Sequence, residues 1–140
     1  MSIYESKLEA LVDGSLRPDD FSHLDHIGVA CEALSQHDFY EALAIVGKGI
    51  RAMAARAGTP EKYNETITFA YMSLIAERMR TKGYADAASF IAENADLVDR
   101  RLLSSWYSPE RLASATARAI PLMPDRGRTA LSASRSGGIT

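Results

Sequence analysis

The sequence predicts an all-α fold: a single-domain bundle of six to seven helices with a polar C-terminal tail. Three observations carry that reading. Apolar residues recur at spacings of three and four through most of the 140 residues, the pattern of helices that bury one face. The segments open on capping residues and close on glycine. No stretch alternates apolar and polar side chains as a half-buried strand would, and there is no internal repeat.

Each element follows from local chemistry. Residues 3–12 place Ile3, Leu8, Leu11 and Val12 among charged side chains, and Gly14 offers the stop. Residues 15–20 form a polar connector in which Pro18 turns Arg17 away from helix. Ser22 followed by Asp25 is an approximate capping box, and the helix over 23–35 carries Leu24, Ile27, Cys31 and Leu34 on one stripe. Asp38 with Glu41 repeats that signature for a helix over 39–57, striped by Phe39, Leu43, Val46, Ile50, Met53 and Ala57 and ended by Gly58. Gly47 and Gly49 inside it cost about 1 kcal/mol each against alanine; their use is to let a neighbouring helix approach closely.

Thr59-Pro60-Glu61 predicts the start of the longest helix, over 60–82, with proline at the first position. Its wet face is narrow (Thr66, Ser73, Glu77, Arg80), so it is expected to be central. Shorter helices are expected near 85–94 and 96–105, and Ser108-Pro109-Glu110 opens a last one through Arg118. Pro121 and Pro124 end regular structure. The expected division is a helical domain over 1–125 and a disordered tail over 126–140.

Composition narrows the function classes. Hydrophobic residues make up 46% and charged residues 24%, as in an ordinary globular domain. The formal charge of −2 and pI near 5.9 argue against a nucleic-acid binder. Residues 1–119 carry 13 basic and 17 acidic side chains, whereas 120–140 hold Arg126, Arg128 and Arg135 against Asp125; that is too little charge for a polybasic membrane anchor. Cys31 is the lone cysteine, so an intrachain disulfide and a cysteine zinc knuckle are ruled out. The N-terminus lacks the features of a signal peptide and no apolar run is long enough to span a membrane. The expectation is a cytoplasmic protein with no nucleic-acid or membrane partner, whose apolar helical faces are compatible with a homodimer.

Candidate chemistry gathers in two stretches, Phe21 to His26 and Tyr63 to Thr68. His23 and His26 are one helical turn apart, so both rings can reach a common point. Asn64, Glu65 and Thr68 are the polar exceptions on the buried arc of the 60–82 pattern, with Tyr63 and Tyr71 close by. A buried carboxylate must be paired, hydrogen-bonded or protonated. Brought together, His23, His26, Tyr63, Asn64, Glu65 and Thr68 would form a small polar ligand pocket. Within it His23, His26 and Glu65 have the donor types for a divalent metal or for acid–base work. The spacing is not that of helical metal motifs, which use His at i and i+4 or Glu-x-x-His. Each residue also has a plain reading. His23 can bond backbone beside the Ser22 cap, His26 can be a half-exposed flank, and Glu65 can pair with Lys62 or Arg17. Cys31 is expected to be an inert core side chain, Arg100-Arg101 a solvated pair and Trp106-Tyr107 a packing lid.

Three motifs, Phe21-x-His23-x-x-His26 with Ala30, Tyr63-x-Glu65-Thr66-x-Thr68 and Tyr107-Ser108-Pro109-Glu110-Arg111-Leu112, resemble an uncharacterised family of small bacterial all-helical proteins over roughly residues 20–125. The resemblance implies the helical fold and no particular reaction. The family pattern has histidine where this chain has Asn64, which would remove a third imidazole from any metal set. Two readings stay open from sequence: a small-molecule or metal pocket that either binds or catalyses, and a protein–protein interaction or regulatory module in which the histidines are structural.

Overall fold

The computed structural model describes residues 2–127. Seven α-helices follow in order: α1 (Ile3–Asp13), α2 (His23–Gln36), α3 (Phe39–Arg56), α4 (Glu65–Thr81), α5 (Ala87–Glu93), α6 (Pro109–Leu112) and α7 (Ala115–Ala119). Single 3-10 turns at Pro18–Asp20, Pro60–Lys62, Ala95–Val98 and Leu102–Ser105 connect them. Among the described residues there is no strand, and no helix is long and apolar enough to cross a membrane. The bundle is all-α, as the periodicity predicts.

The starts and stops obey the capping chemistry. Ser22 and Asp38 each accept from the backbone N–H three residues on, and Asp25 and Glu41 return the bond to the cap's own N–H. Gly14 and Gly58 close α1 and α3 at φ of 85° and 77°, a left-handed conformation that costs glycine nothing sterically.

Helix α2, rather than the expected 60–82 segment, is the central one. It packs against α1, α3, α4, α5 and the Ala95–Val98 turn. Ile27, Gly28, Val29, Ala30, Cys31 and Ala33 are all buried, while Leu24 from the expected stripe is 38% exposed. The reason is size: Gly28, Ala30, Cys31 and Ala33 are small enough for neighbours to approach α2 from several sides. The Tyr4 ring of α1 lies where a Cβ on Gly28 would be, 2.2 Å from that position. Gly49 serves the predicted purpose, since a Cβ there would meet Leu11 of α1 at 2.6 Å, whereas Gly47 makes room for the Tyr63 hydroxyl from the turn before α4, 3.1 Å from the position of a Cβ.

Four other expectations need correction. Proline at 60 opens only a 3-10 turn; Tyr63 is extended, and α4 starts at Glu65 with the Asn64 side chain capping the Ile67 N–H. The 96–105 region is two 3-10 turns, and the expected 108–118 helix breaks into α6 and α7 because Ser114 caps a new start. Thr66, assigned to the wet face, is fully buried. Its hydroxyl donates to the Ile120 carbonyl at 2.8 Å and accepts from the Leu122 N–H at 3.0 Å, fastening the segment after α7 across α4. Ser73, Glu77 and Arg80 are exposed as expected. Of the expected tail, residues 128–140 lie outside the described residues; Arg126 is held, its N–H donating to the Trp106 carbonyl at 2.8 Å.

Two substitutions test this packing. Gly28→Ala should destabilise by about 1–3 kcal/mol through overpacking, measured by chemical denaturation, and replacing Tyr4 with alanine in the same chain should make the glycine change less costly. Thr66→Val removes both bonds to the segment after α7, and should cost about 1–3 kcal/mol without altering helical content by circular dichroism.

Candidate functional site

The first turns of α2 and α4 meet across a cavity of about 140 Å³ that opens to the surface and is completed by α3. His23 and His26 line it from α2, and Asn64 and Thr68 from α4, with Tyr63 and Lys62 from the turn before it. The rest of the wall is mainly apolar: Ile27, Ala30, Val46, Ile50, Ile67, Tyr71, Met72 and Ile75. Five of the six residues singled out from sequence are thus brought together. The sixth, Glu65, is not in the wall.

Local structure explains these placements. The Ser22 capping box fixes the beginning of α2, so positions 23 and 26 fall on the same side one turn apart. Phe21, just ahead of the cap, stacks on the His26 ring at 4.0 Å between centroids and 23° between planes. His23 stands edge-on to the Tyr71 ring at 5.2 Å. The His23 Nε2 lies 3.1 Å from the Leu97 carbonyl; a carbonyl only accepts, so Nε2 carries the proton and Nδ1 is left as an acceptor. On α4, Asn64 caps with its Oδ1 and donates its amide to the Leu112 carbonyl at 2.7 Å.

Glu65 is spoken for elsewhere. It accepts from the Tyr63 hydroxyl at 2.7 Å and pairs with Arg51 at 3.3 Å, so its partner is neither Lys62 nor Arg17. Tyr63 therefore joins Glu65 to the cavity at one remove. Burial, reinforced by the Glu65 carboxylate, pushes the Tyr63 phenol up to about 12. The expected metal set of His23, His26 and Glu65 does not assemble: among the described residues no three His, Cys, Asp or Glu side chains come together as metal ligands, and Glu65 is turned toward Arg51 and Tyr63.

The two histidines are held as neutral bases. Burial lowers His23, partly offset by its bond to Leu97, with Arg100 lowering it further. Burial drives His26 down to about 4, aided by His23 and Arg100 and opposed by Asp25. His26, expected as a half-exposed flank, is half-buried under Phe21. Its ring nitrogens make no hydrogen bond with the described residues, while no fully sealed polar side-chain atom is left unpaired. The Thr68 hydroxyl, also in the wall, is shared with Tyr63.

Sequence reasoning missed the cavity's apolar wall, because Val46, Ile50, Met72 and Ile75 read as ordinary core stripe; only their convergence in space makes them a wall. It also missed Lys62 as a lining residue. The remaining plain readings fit: Cys31 is buried, its thiol pushed up to about 11 by burial, and Arg100 and Arg101 are exposed.

Compared with known proteins, the chain matches no family model, no curated protein and no solved structure. The three motifs behind the family resemblance nevertheless sit together. Phe21 to His26 faces Tyr63 to Thr68 across the cavity, and Leu112 of the third motif receives the Asn64 amide.

The imidazoles set a pH dependence. A histidine whose folded pKa is depressed binds its proton more readily in the unfolded chain. Its neutral burial is therefore fully compatible with folding above about pH 6.5, and stability falls as pH drops from there toward about 4. For His26 the loss is at most about 3 kcal/mol over that window. Denaturation midpoints measured from pH 7 to pH 4 should fall less steeply in His26→Phe than in the wild-type chain.

Proposed function

We propose that this protein binds a small organic molecule in the cavity between α2, α3 and α4. The observation that carries the reading is an apolar-walled, surface-opening cavity lined by the His26 imidazole, which makes no hydrogen bond with the described residues. Binding sites combine such a wall with a few unsatisfied polar groups that orient the ligand. The size suits a ligand body near that of benzene, since an apolar cavity of about 150 Å³ accepts that molecule. With Thr68, neutral His26 would hydrogen-bond a polar group on the ligand, and His23, fixed through Leu97, would position the wall beside it. Whether the bound molecule is also transformed depends on its chemistry; among the described residues His26 is the imidazole of the wall with neither nitrogen bonded to a protein partner, whereas His23 has its Nε2 held by Leu97.

Titration with benzyl alcohol, followed by methyl resonances, tests this. Ile27, Val46, Ile50 and Ile75 should shift together in a saturable way. Ala30→Leu, which extends a cavity-lining side chain from α2 into the space, should abolish the shifts while helical content by circular dichroism is kept. Absence of shifts in the wild-type chain would refute the reading. It would leave the interaction-module alternative, which the exposed Met123 beside Trp106 favours.

A further inference from the structure

The proposal here rests on the cavity reading above and concerns the charge of the ligand. We propose that the ligand is a small monocarboxylate, its apolar body against Ile27, Val46 and Ile75 and its carboxylate at the mouth beside Lys62. The argument is a balance of charges around the wall. Four carboxylates act electrostatically on the titrating residues that line the cavity, and each has a cation of its own. Asp25 is paired with Lys7 at 2.8 Å and also accepts the Ser22 N–H. Glu65 is paired with Arg51, Asp96 with Arg78 at 2.7 Å, and Asp99 with Arg101 at 3.3 Å.

Two cations are left over. Among the described residues neither Lys62 nor Arg100 has a carboxylate within ion-pair distance, Glu61 next to Lys62 included. Lys62 is exposed and lines the cavity, which places it at the mouth. The Arg100 charge is felt by His23, His26 and Tyr71, three side chains of the wall. The first turns of α2 and α4 both border the cavity, and helix starts add partial positive charge of the same sign. An anion entering this mouth meets the Lys62 ammonium in the wall, with the His26 imidazole as a hydrogen-bond partner and Arg100 adding positive charge nearby. A cation would find no carboxylate in the wall, since no Asp or Glu lines the cavity. The apolar wall limits the size of the anion's body, and one carboxylate at the mouth leaves that body free to enter the dry end.

Calorimetric titration of the full chain with benzoate, benzamide and benzylamine, at low ionic strength, decides the matter. Benzoate should bind at least tenfold more tightly than benzamide, and benzylamine least tightly. Lys62→Met should bring benzoate to within about threefold of benzamide, and Arg100→Met should weaken benzoate by a smaller factor. Both side chains are exposed, so melting temperatures should not move. Benzamide binding as tightly as benzoate would overturn the carboxylate assignment while leaving the cavity reading intact. A benzoate preference unchanged in both variants would also overturn it, since the preference would then arise elsewhere. No binding of any of the three would overturn the cavity reading and this inference with it.

Discussion

The contact on which the rest of this structure depends is the seating of the Tyr4 ring against the bare backbone of Gly28. No side chain fits there, so α1 lies directly on α2. Because Gly28, Ala30, Cys31 and Ala33 are all small, α3, α4 and α5 close in on the other sides, and α2 becomes a buried axle. A helix held from every side has little freedom to slide or rotate, since close-packed interiors do not deform continuously. Its first turn, with His23 and His26, is therefore placed by contacts well removed from the cavity itself.

The second turn of the site is fixed differently. α4 begins late because its cap is Asn64 rather than Thr59, and that asparagine does two jobs: its oxygen satisfies the Ile67 N–H and its amide reaches Leu112. The C-terminal segment then locks on through Thr66 and through Tyr107, whose hydroxyl donates to the Leu122 carbonyl at 2.8 Å. The polar residues of α4's first turns thus divide by face. Asn64 and Thr68 line the cavity, Thr66 ties down the chain end, and Glu65 turns to Arg51. One turn of helix serves three purposes because neighbouring positions point about 100° apart.

The legible part of the sequence was the part governed by local chemistry. Ser22, Asp38, Gly14 and Gly58 marked helix ends because caps and left-handed stops act within a few residues. The convergence of His23, His26, Tyr63, Asn64 and Thr68 was also readable, since Asn64 and Thr68 were polar exceptions on an apolar arc and the two histidines lay one turn apart. What was hidden depends on partners distant in sequence. Thr66 read as solvated until Ile120 and Leu122, more than fifty residues on, supplied its bonds. Glu65 read as a ligand until Arg51 took it. The central place of α2 was obscured because glycine and alanine score weakly in any stripe of large apolar residues, although their smallness is what permits burial on all sides.

The state of His26 bears on why an imidazole stands there at all. Its ring stacks on Phe21 and is depressed to about 4 chiefly by burial, so it lowers stability as the medium turns acid. A phenylalanine or leucine could fill much of the same space without that liability. A purely structural histidine is held by hydrogen bonds that offset its desolvation, as His23 is by Leu97. His26 has no such bond among the described residues, and its ring lines a cavity whose wall is mainly apolar. A polar ring kept at a stability cost, with its donor and acceptor unspent, is the arrangement expected where the missing partner arrives from outside the chain. On this reasoning the pair is divided in role: His23 is part of the frame, and His26 is the group the frame presents.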